Sequence, residues 1–515
     1  MKNHPFLKYI LLVFVTLLVV VILVFACQQN NNVLVIPETP EEQLLPEEHL
    51  PDSVTIYVTT ANRSYDFAKT KVTFDSANAI RSQATIVLAA DRRYQTMDGF
   101  GAAITGSTCF NLLKMAKNDR TKFLTETFSS TQGMGYSYIR ISIGASDFSL
   151  SEYTCCDEPG IENFTLTAEE NNYVIPVLKE ILTINPDLKI MGSPWTCPRW
   201  MKVNNLTNKQ PHYAWTSGQL NPDYYQDYGT YFVKWLQAFA DNGITIYAIT
   251  PQNEPLNHGN SVSLYMGWDE QRDFVNNALV PKLKASGLHT KIYLFDHNYN
   301  YDGMSSQYGY PAKIYAAGVN DDFIVGAAYH DYGGNRLELQ NIHAQYPDKE
   351  LVFTETSIGT WNNGHNLAVR LMEDMREVAL GTVNNWCKAV IVWNLMLDSD
   401  LGPNRPGGCQ TCYGAVDISR SDYKTITRNS HYYIIGHLSS VVKPGATRIG
   451  ADGEYAGSAI YSAFENTDGT CAVVLLNNTA AGKSITFDDG INHFTHEAPA
   501  QSVVSYQWKK QSNNK

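Results

Sequence analysis

Two short apolar segments of this 515-residue chain each end in a glutamate. The segment 245–255 starts with apolar, β-branched residues, as a buried parallel strand does, and then breaks at two prolines with Asn253 and Glu254 between them. The segment 350–357 is again a short apolar run, and it leads into Glu355. Cleavage of a glycosidic bond needs such a pair, because one carboxyl group protonates the leaving oxygen while the other attacks or stabilises the oxocarbenium-like carbon. The two glutamates are far apart in sequence, so only the fold can bring them together.

The pattern from residue 97 onwards predicts the elements that would position these glutamates. The strand candidates are 98–105, 136–144, 188–195, 245–250, 291–296, 324–332, 351–355 and 389–396. The helix candidates between them are 121–128, 168–184, 223–241, 268–286, 311–317, 336–346 and 367–384. Strands that alternate with helices in this way indicate an α/β fold, a (β/α)8 TIM barrel, over 97–431. Glu254 then ends strand four and Glu355 ends strand seven, so both face the mouth where barrel enzymes carry out their chemistry.

The segments on either side of the barrel are rich in β-structure. Val54, Ile56 and Val58 alternate as one face of a strand within 53–96, and short alternating strands separated by turns fill 432–515. The N-terminal strands alone make too small a sheet to be stable. We therefore expect them to join the C-terminal segment in a β-sandwich module beside the barrel.

The first 52 residues have the composition of a targeting segment and a linker. Lys2 and Lys8 precede an apolar run over 9–26, and Cys27 follows it, as in a bacterial lipoprotein signal whose cysteine becomes lipidated. An uncleaved N-terminal anchor over 1–27 is the alternative. Residues 28–52 are polar and rich in proline and glutamate, which favours a flexible tether. Both alternatives predict an exported protein held at the membrane of a bacterial cell envelope, in the periplasm or at the cell surface.

Charge and cysteine spacing exclude some function classes. The net charge is −12 and no long basic run follows the N-terminus, which argues against a nucleic-acid partner. No cluster of histidine and aspartate has metal-ligand spacing, so we expect no metal and no organic cofactor. Cys409 and Cys412 are compatible with a metal knuckle, a redox pair or a disulfide in a loop. No second C-x-x-C completes a zinc site, and the strand and helix that flank a redox motif are missing, so we favour the disulfide.

The sequence around both glutamates resembles a known family. Pro-Gln-Asn-Glu-Pro at 251–255 and Phe-Thr-Glu-Thr at 353–356 resemble the acid/base and nucleophile motifs of glycoside hydrolase family 30, the glucosylceramidase-like family of retaining enzymes. The resemblance extends over 98–508 and is strongest at 98–105, 138–149, 192–202, 393–395 and 433–439. It implies a barrel with a side β-structure built from both chain ends, in agreement with the pattern above.

The resemblance also implies roles for individual residues. Glu254 would be the acid/base, with a pKa raised so that it is protonated near neutral pH, and Glu355 would be the ionised nucleophile. The other residues implied for the substrate site are Trp195, Asn253 and Trp393 around the sugar, with His330 and Tyr332 beside the nucleophile. Arg140 would pair with a site carboxylate or brace the barrel, and Asp296 and His297 at the end of strand five are further candidates.

Two departures from the glucosylceramidase pattern bear on the substrate. Glucosylceramidases carry an aspartate at the position of Gly106, where it contacts the terminal glucose, and the loop 402–412 is more similar to bacterial members that cut β-1,6-glucan. A less closed sugar pocket would suit a longer glucan chain. We therefore predict a retaining hydrolase of β-1,6-glucan, with glucosylceramide or xylan as alternative substrates. The alternative outside the enzymes is a glycan-binding lipoprotein that uses the barrel cleft without catalysis.

Overall fold

The computed structural model describes residues 53–75, 84–319, 321–453 and 460–510. The predicted export segment 1–27 and tether 28–52 lie outside these ranges and stay predictions. In the part of the chain that is described, no helix combines the length and the apolar character that crossing a membrane requires.

The centre of the fold is a closed parallel barrel. Its eight strands, in chain order, are Gly99–Ala102, Tyr138–Ser142, Lys189–Ser193, Ala248–Ile249, Lys291–Asn298, Ile324–His330, Glu350–Glu355 and Cys387–Val392. Each strand pairs in parallel with its neighbour, and strand eight pairs with strand one. A parallel bridge between Ala103 and Arg140 closes the ring between strands one and two. The predicted fold class is confirmed.

The helices follow the strands as expected for this barrel. They are Gly106–Lys114, Lys117–Phe128, Ile175–Ile184, Tyr225–Asp241, Trp268–Phe274, Val280–Ser286, Tyr310–Ala316, Leu337–Gln345, Leu367–Asp374, Leu380–Val383 and Ser430–Ser439. Three five-residue π-helical turns, Glu170–Val174, Val275–Leu279 and Met375–Ala379, extend or join them. The π-helical turn at 275–279 joins its neighbours so that 268–286 forms one continuous helix, as the sequence predicted.

Two helices were not predicted from the sequence. Gly106–Lys114 begins Gly-Ser-Thr, which are poor helix formers, and its start depends on the Thr105 hydroxyl, which accepts a hydrogen bond from the Thr108 N–H. All ten residues of Ser430–Ser439 are buried, so this helix shows no amphipathic period. It also crosses the predicted boundary at residue 432 between the barrel and the module.

Both chain ends build the side module. In sheet order its strands are Ala68–Thr73, Ser53–Thr60, Ser502–Lys509, Thr470–Asn477, Ile460–Glu465, Thr447–Asp452, Ala84–Thr96, Lys483–Asp488 and His493–Ala498. Val54, Ile56 and Val58 are buried on one face, as their alternation predicted. They pack in an apolar core with residues of the C-terminal strands such as Phe487 and Trp508.

Short strands at the barrel mouth connect the loops that surround the site. Ile358–Gly359, just after strand seven, pairs with Cys412–Tyr413 in the long loop after strand eight. A 3-10 turn, Thr360–Asn362, follows directly. The remaining short strands are Lys202–Val203 with Gln219–Leu220, and Met396–Asp398 with Val416–Ile418 and Ile426–Arg428. The remaining 3-10 turns are Ile161–Asn163, Arg199–Met201, Pro222–Tyr224, Tyr301–Gly303 and Ser305–Gln307.

Candidate active site

The fold brings Glu254 and Glu355 together at the mouth of the barrel. Glu355 is the last residue of strand seven, and Glu254 follows strand four in a turn where its backbone is left-handed, with φ of 44°. A non-glycine residue in that region is strained, and such strain is concentrated at functional sites. One oxygen of each glutamate and one ring nitrogen of His330 all lie within 4.8 Å of one another. This separation fits the gap of about 5–5.5 Å in retaining glycosidases rather than the about 6.5–9.5 Å in inverting ones.

Arg140 holds the polar groups of the site in place. Its guanidinium is completely buried and donates to Glu355 Oε2 at 2.5 Å, to Asn253 Oδ1 at 2.6 Å and to Asp296 Oδ2 at 2.8 Å. Its Nε donates to Ser193 Oγ at 3.1 Å. The planar fork of arginine makes several such bonds in fixed directions. Arg140 therefore both pairs with the site carboxylates and braces strand two against strands three, five and seven.

A bulge in strand five directs Asp296 into this network. Phe295 and Asp296 have φ of 70° and 74°, and the pairing with strand six shifts register there. A bulge of this kind re-aims the side chains that follow it. Asp296 accepts hydrogen bonds from Arg140 and, at 3.0 Å, from Nε2 of His330. Nε2 of His330 donates to this carboxylate. The other ring nitrogen, Nδ1, faces Glu254 and lies 3.6 Å from its Oε1.

The surroundings of Glu254 lower its pKa, which contradicts our prediction of a raised value. Burial alone would raise the pKa of Glu254, but the hydrogen bond and charge of His330, the charge of His297 and the amide of Asn257 together lower it to about 2. His297 Nε2 lies 4.0 Å from Glu254, and Asn257 donates to Glu254 Oε2 at 2.7 Å. These charges and hydrogen bonds together thus outweigh desolvation.

The pKa of Glu355 is set by a different balance of burial and neighbouring charges. Burial raises its pKa, and the negative charge of Glu254 adds to this, while His330 and Arg140 oppose it without cancelling it. The Tyr332 hydroxyl donates a hydrogen bond to Glu355 Oε1 at 3.0 Å, so each carboxylate oxygen has a partner.

The predicted positions of Tyr332 and His330 on strand six differ in their outcome. His330 is the last residue of that strand, whereas Tyr332 lies two residues beyond its end.

His330 holds the proton that an acid at Glu254 would need. Burial lowers the pKa of His330, but Glu355, Asp296 and Glu254 together raise it to about 9. Nδ1 of His330 lies 3.6 Å from Glu254 Oε1, so a proton carried by Nδ1 is close enough to be passed to Glu254 with a small movement of either side chain. The pair Glu254 and His330 therefore shares one proton, and its position decides which of the two is charged.

An aromatic floor lies under the network. The rings of Trp195 and Trp393 stack with centroids 5.2 Å apart, and the guanidinium of Arg140 lies 4.8 Å from the first centroid and 5.6 Å from the second. Both side chains are almost fully buried. Trp393 contributes to the wall of the cavity above, and Trp195 packs behind it. Asn253 and His330 likewise lie behind the cavity surface, since they bond to Arg140 and Asp296.

The cavity at the barrel mouth has a volume of about 460 Å³, within the range of about 300–1,000 Å³ for small-molecule sites. Its lining residues are Asp147, Glu254, Asn257, Gly259, Asn260, Tyr332, Glu355, Ser357, Trp361, Trp393, Gly407, Gly408, Cys409 and Cys412. Four of these, Glu254, Tyr332, Glu355 and Trp393, were predicted as site residues, and Asp147, Asn257 and Trp361 are among those that were not. Burial, with the charges of Glu355 and Glu254, raises the pKa of Asp147 to about 8. Asp147 stands in the motif at 138–149, but its spacing alone does not reveal that it reaches the cavity.

Sequence comparison places the chain in a family. The profile of the glycosyl hydrolase family 30 TIM-barrel domain matches residues 97–442, and that of the family 30 beta sandwich domain matches residues 445–506. The chain belongs to glycoside hydrolase family 30. It is therefore an enzyme of the glycosidase class, and the predicted family is confirmed.

Family 30 relatives with curated names and solved structures are similar over most of the chain. The endo-1,6-beta-D-glucanase BGN16.3 of Trichoderma harzianum is 33% identical over 408 residues, which are 74% of this chain and 78% of that enzyme. The lysosomal acid glucosylceramidase of Mus musculus is 25% identical over 464 residues, 84% of this chain and 85% of that enzyme. The solved structure of the endo-beta1,6-glucanase BT3312 is 65% identical, covers 89% of this chain and 100% of its own, and superposes with a TM-score of 0.86.

The loop 402–412 of this family 30 hydrolase contributes Gly407, Gly408, Cys409 and Cys412 to the cavity wall. Arg405 is buried and ties the loop to its neighbours, donating to Glu152 at 2.9 Å, to the Ser146 carbonyl at 2.5 Å and to the hydroxyl of Ser261 at 3.1 Å. The Cys409–Cys412 disulfide is formed, as expected, and it lies on the cavity wall. Sequence reasoning singled out this loop but not Arg405, whose partners are more than 140 positions away in the chain.

The space beside Gly106 is occupied, so the absent aspartate does not open the pocket as we expected. A Cβ placed on Gly106 would overlap the carboxyl group of Glu169. Burial raises the pKa of Glu169 to about 7, and its Oε2 accepts a hydrogen bond from the Leu150 N–H at 2.8 Å. Glu169 thus fills the position into which a side chain at 106 would point. The carboxyl group that the cavity does contain belongs to Asp147.

One trio of side chains in the described ranges lies at metal-binding distance, and it is Glu254, His330 and Glu355. Each of these groups already has a protein partner, and Arg140 places a permanent positive charge against Glu355. A cation held by the trio would compete with that guanidinium and with the shared proton. The expectation that the enzyme needs no metal stays a prediction.

The shared proton predicts how activity depends on pH. The pKa of His330 is about 9, so the Glu254 and His330 pair holds its proton below about pH 9 and loses it above. We expect kcat/KM for a glycoside that needs a protonated leaving group to fall as the pH rises through this value, because kcat/KM reports the free enzyme. With β-glucosyl fluoride, whose fluoride leaves without protonation, the same fall should be absent. Measured profiles that stay flat to pH 10 for both substrates would contradict this assignment of the acid proton.

Proposed function

We propose that this family 30 enzyme hydrolyses β-1,6-glucan by double displacement, with retention at the anomeric carbon. The observation that carries the reaction type is the approach of Glu254 and Glu355 to within 4.8 Å in a cavity at the barrel mouth. The substrate is supported by the similarity to proteins named as endo-β-1,6-glucanases, above all the solved structure at 65% identity. Trp393 and Asp147 supply a ring face and a carboxyl group for the sugar.

In the first step Glu355 attacks the anomeric carbon, and the bond from that carbon to the leaving oxygen breaks. Glu254, having taken the proton from His330 Nδ1, gives it to the leaving oxygen. Arg140 and Tyr332 hold the two oxygens of Glu355 in a fixed orientation, and this positioning lowers the entropic part of the barrier.

In the second step a water molecule replaces the leaving group. Glu254, now ionised, takes a proton from the water as its oxygen attacks the anomeric carbon, and the ester bond to Glu355 breaks. His330 has given up its proton in the first step, so the Asn257 amide, which donates to Glu254 Oε2 at 2.7 Å, stabilises this ionised form until a proton from the water restores the pair. The same carboxyl group is therefore acid in one step and base in the next.

Product analysis on four substrates tests the assignment. We expect soluble oligosaccharides or glucose from pustulan, a β-1,6-glucan, at a rate well above that on laminarin, xylan or glucosylceramide. Faster turnover of glucosylceramide or xylan would favour those alternatives and overturn the proposed substrate. Retention of pustulan by the protein without release of any reducing ends would indicate a glycan-binding protein instead of an enzyme.

A further inference from the structure

A second cavity opens beside the catalytic one. It has a volume of about 340 Å³ and lies among the loops after strands six and seven. It shares Tyr332, Ser357 and Trp361 with the catalytic cavity, so the two cavities adjoin along that edge. We propose that this second cavity binds a glucosyl unit on the leaving-group side of the bond that is cleaved. The inference rests on the proposed function and adds to it the place where the departing part of the chain is held.

The layout of the catalytic cavity gives the direction of the substrate. The glycine and cysteine residues of the loop 402–412, with Asp147 and Trp393, line the side that Arg405 ties down. Because these residues line the catalytic cavity and not the second one, we place the sugar whose anomeric carbon faces Glu355 against them. The leaving group extends away from them, past Tyr332 and Trp361, into the second cavity.

Trp361 offers a stacking surface at the point where the cavities meet. Its side chain is 53% exposed, which is unusual for a tryptophan beside a catalytic pair. A Cβ on Gly359 would overlap the six-membered ring of this indole. The indole can therefore pack directly on the backbone at 359 only because that residue is glycine. The pairing of Ile358–Gly359 with Cys412–Tyr413 fixes that backbone. One face of the ring is thus supported and the rest is free for the apolar face of a sugar.

The polar lining suits a neutral ligand with many hydroxyl groups. The guanidinium of Arg370 pairs with Glu373 at 3.1 Å and also with Asp374, and Arg336 pairs with Glu377. The arginines are thereby neutralised, and the carboxyl group of Asp331 adds negative charge to the lining, which disfavours an anionic ligand.

Tyr299 is a second sign of a ligand. Its side chain is 4% exposed, it lines the cavity, and its hydroxyl has no hydrogen-bond partner among the described residues. A buried hydroxyl without a partner is unfavourable, and a sugar hydroxyl would satisfy it.

Replacing Trp361 by alanine tests the proposal through a ratio of two rates. The first is kcat/KM on a β-1,6-linked glucopentaose, which places units on both sides of the cleaved bond. The second is kcat/KM on β-glucosyl fluoride, whose leaving group occupies no sugar subsite. We expect Trp361→Ala to lower the first relative to the second by about tenfold, the size of one lost stacking contact. Tyr65→Ala, which removes an aromatic side chain of similar exposure on the side module, should leave the ratio as it is in the native enzyme.

A transfer reaction gives an independent measurement. When β-glucosyl fluoride has loaded Glu355, gentiobiose bound in the second cavity should intercept the glucosyl group and give a trisaccharide in competition with water. Trp361→Ala should shift the products from transfer towards hydrolysis. A native enzyme that cleaves the pentaose, with an unchanged ratio and unchanged transfer in the variant, would overturn the leaving-group site alone. A native enzyme that leaves the pentaose intact would overturn the proposed function.

Discussion

Replacing Glu355 by alanine is expected to lower kcat on β-1,6-glucan by more than about 10⁴-fold, because no other carboxyl group in the site is placed to form the covalent intermediate. Arg140 would keep Asp296 and Asn253 as partners, so the variant should still fold, and thermal unfolding would verify this. Glu180→Ala, on a barrel helix and paired with Arg120, is a matched control that should retain full activity. Turnover by Glu355→Ala within tenfold of the native rate would rule out Glu355 as the nucleophile.

The product formed in the presence of azide identifies the role of Glu355 more sharply than the loss of rate. The truncated side chain leaves room for azide beneath the anomeric carbon of β-glucosyl fluoride. Azide would displace fluoride in one step and give α-glucosyl azide, because a single displacement inverts the configuration. Recovery of only the β-azide would show that another group still forms the intermediate.

Replacing Glu254 by alanine should have an effect that depends on the leaving group. We expect kcat/KM on β-1,6-glucan to fall by about 10²–10⁴-fold, the usual contribution of a general acid, while loading of Glu355 from β-glucosyl fluoride stays near the native rate. Loss of activity that is equal for both substrates would argue against an acid role for Glu254. Asn257→Ala, which removes only the amide bonded to Glu254, should cost far less on β-1,6-glucan.

Azide separates the second role of Glu254 from the first. The glucosyl ester on Glu355 should accumulate in Glu254→Ala, because water then lacks its base. Azide needs no base, so it should release the sugar as β-glucosyl azide after two displacements, the opposite anomer to that from Glu355→Ala. Measuring both anomers by NMR distinguishes the two glutamates directly. The α-anomer from Glu254→Ala would mean that the two roles are exchanged.

The pKa values show where reasoning from sequence about Glu254 failed. The acid/base role implied for Glu254 led us to predict a raised pKa, and Glu254 is buried, which by itself would raise it. The sign is reversed by His330 and His297, which come from strands six and five. A pKa depends on charges within a few ångströms in space, and no local pattern around 251–255 reports them.

Sequence alone determined the barrel, the module built from both chain ends, and the two strand-end glutamates, because periodicity and strand-end position are local properties that a short window displays. Through family resemblance it also predicted Trp195, Asn253, His330, Tyr332 and Trp393 as site residues, and of these Tyr332 and Trp393 line the cavity. The tertiary structure decided that Arg140 joins strands two, three, five and seven, that Glu169 fills the space beside Gly106, and that Asp147 and Trp361 line the cavity. These features depend on contacts between loops and strands that are distant in the chain, and such contacts exist only once the barrel has closed.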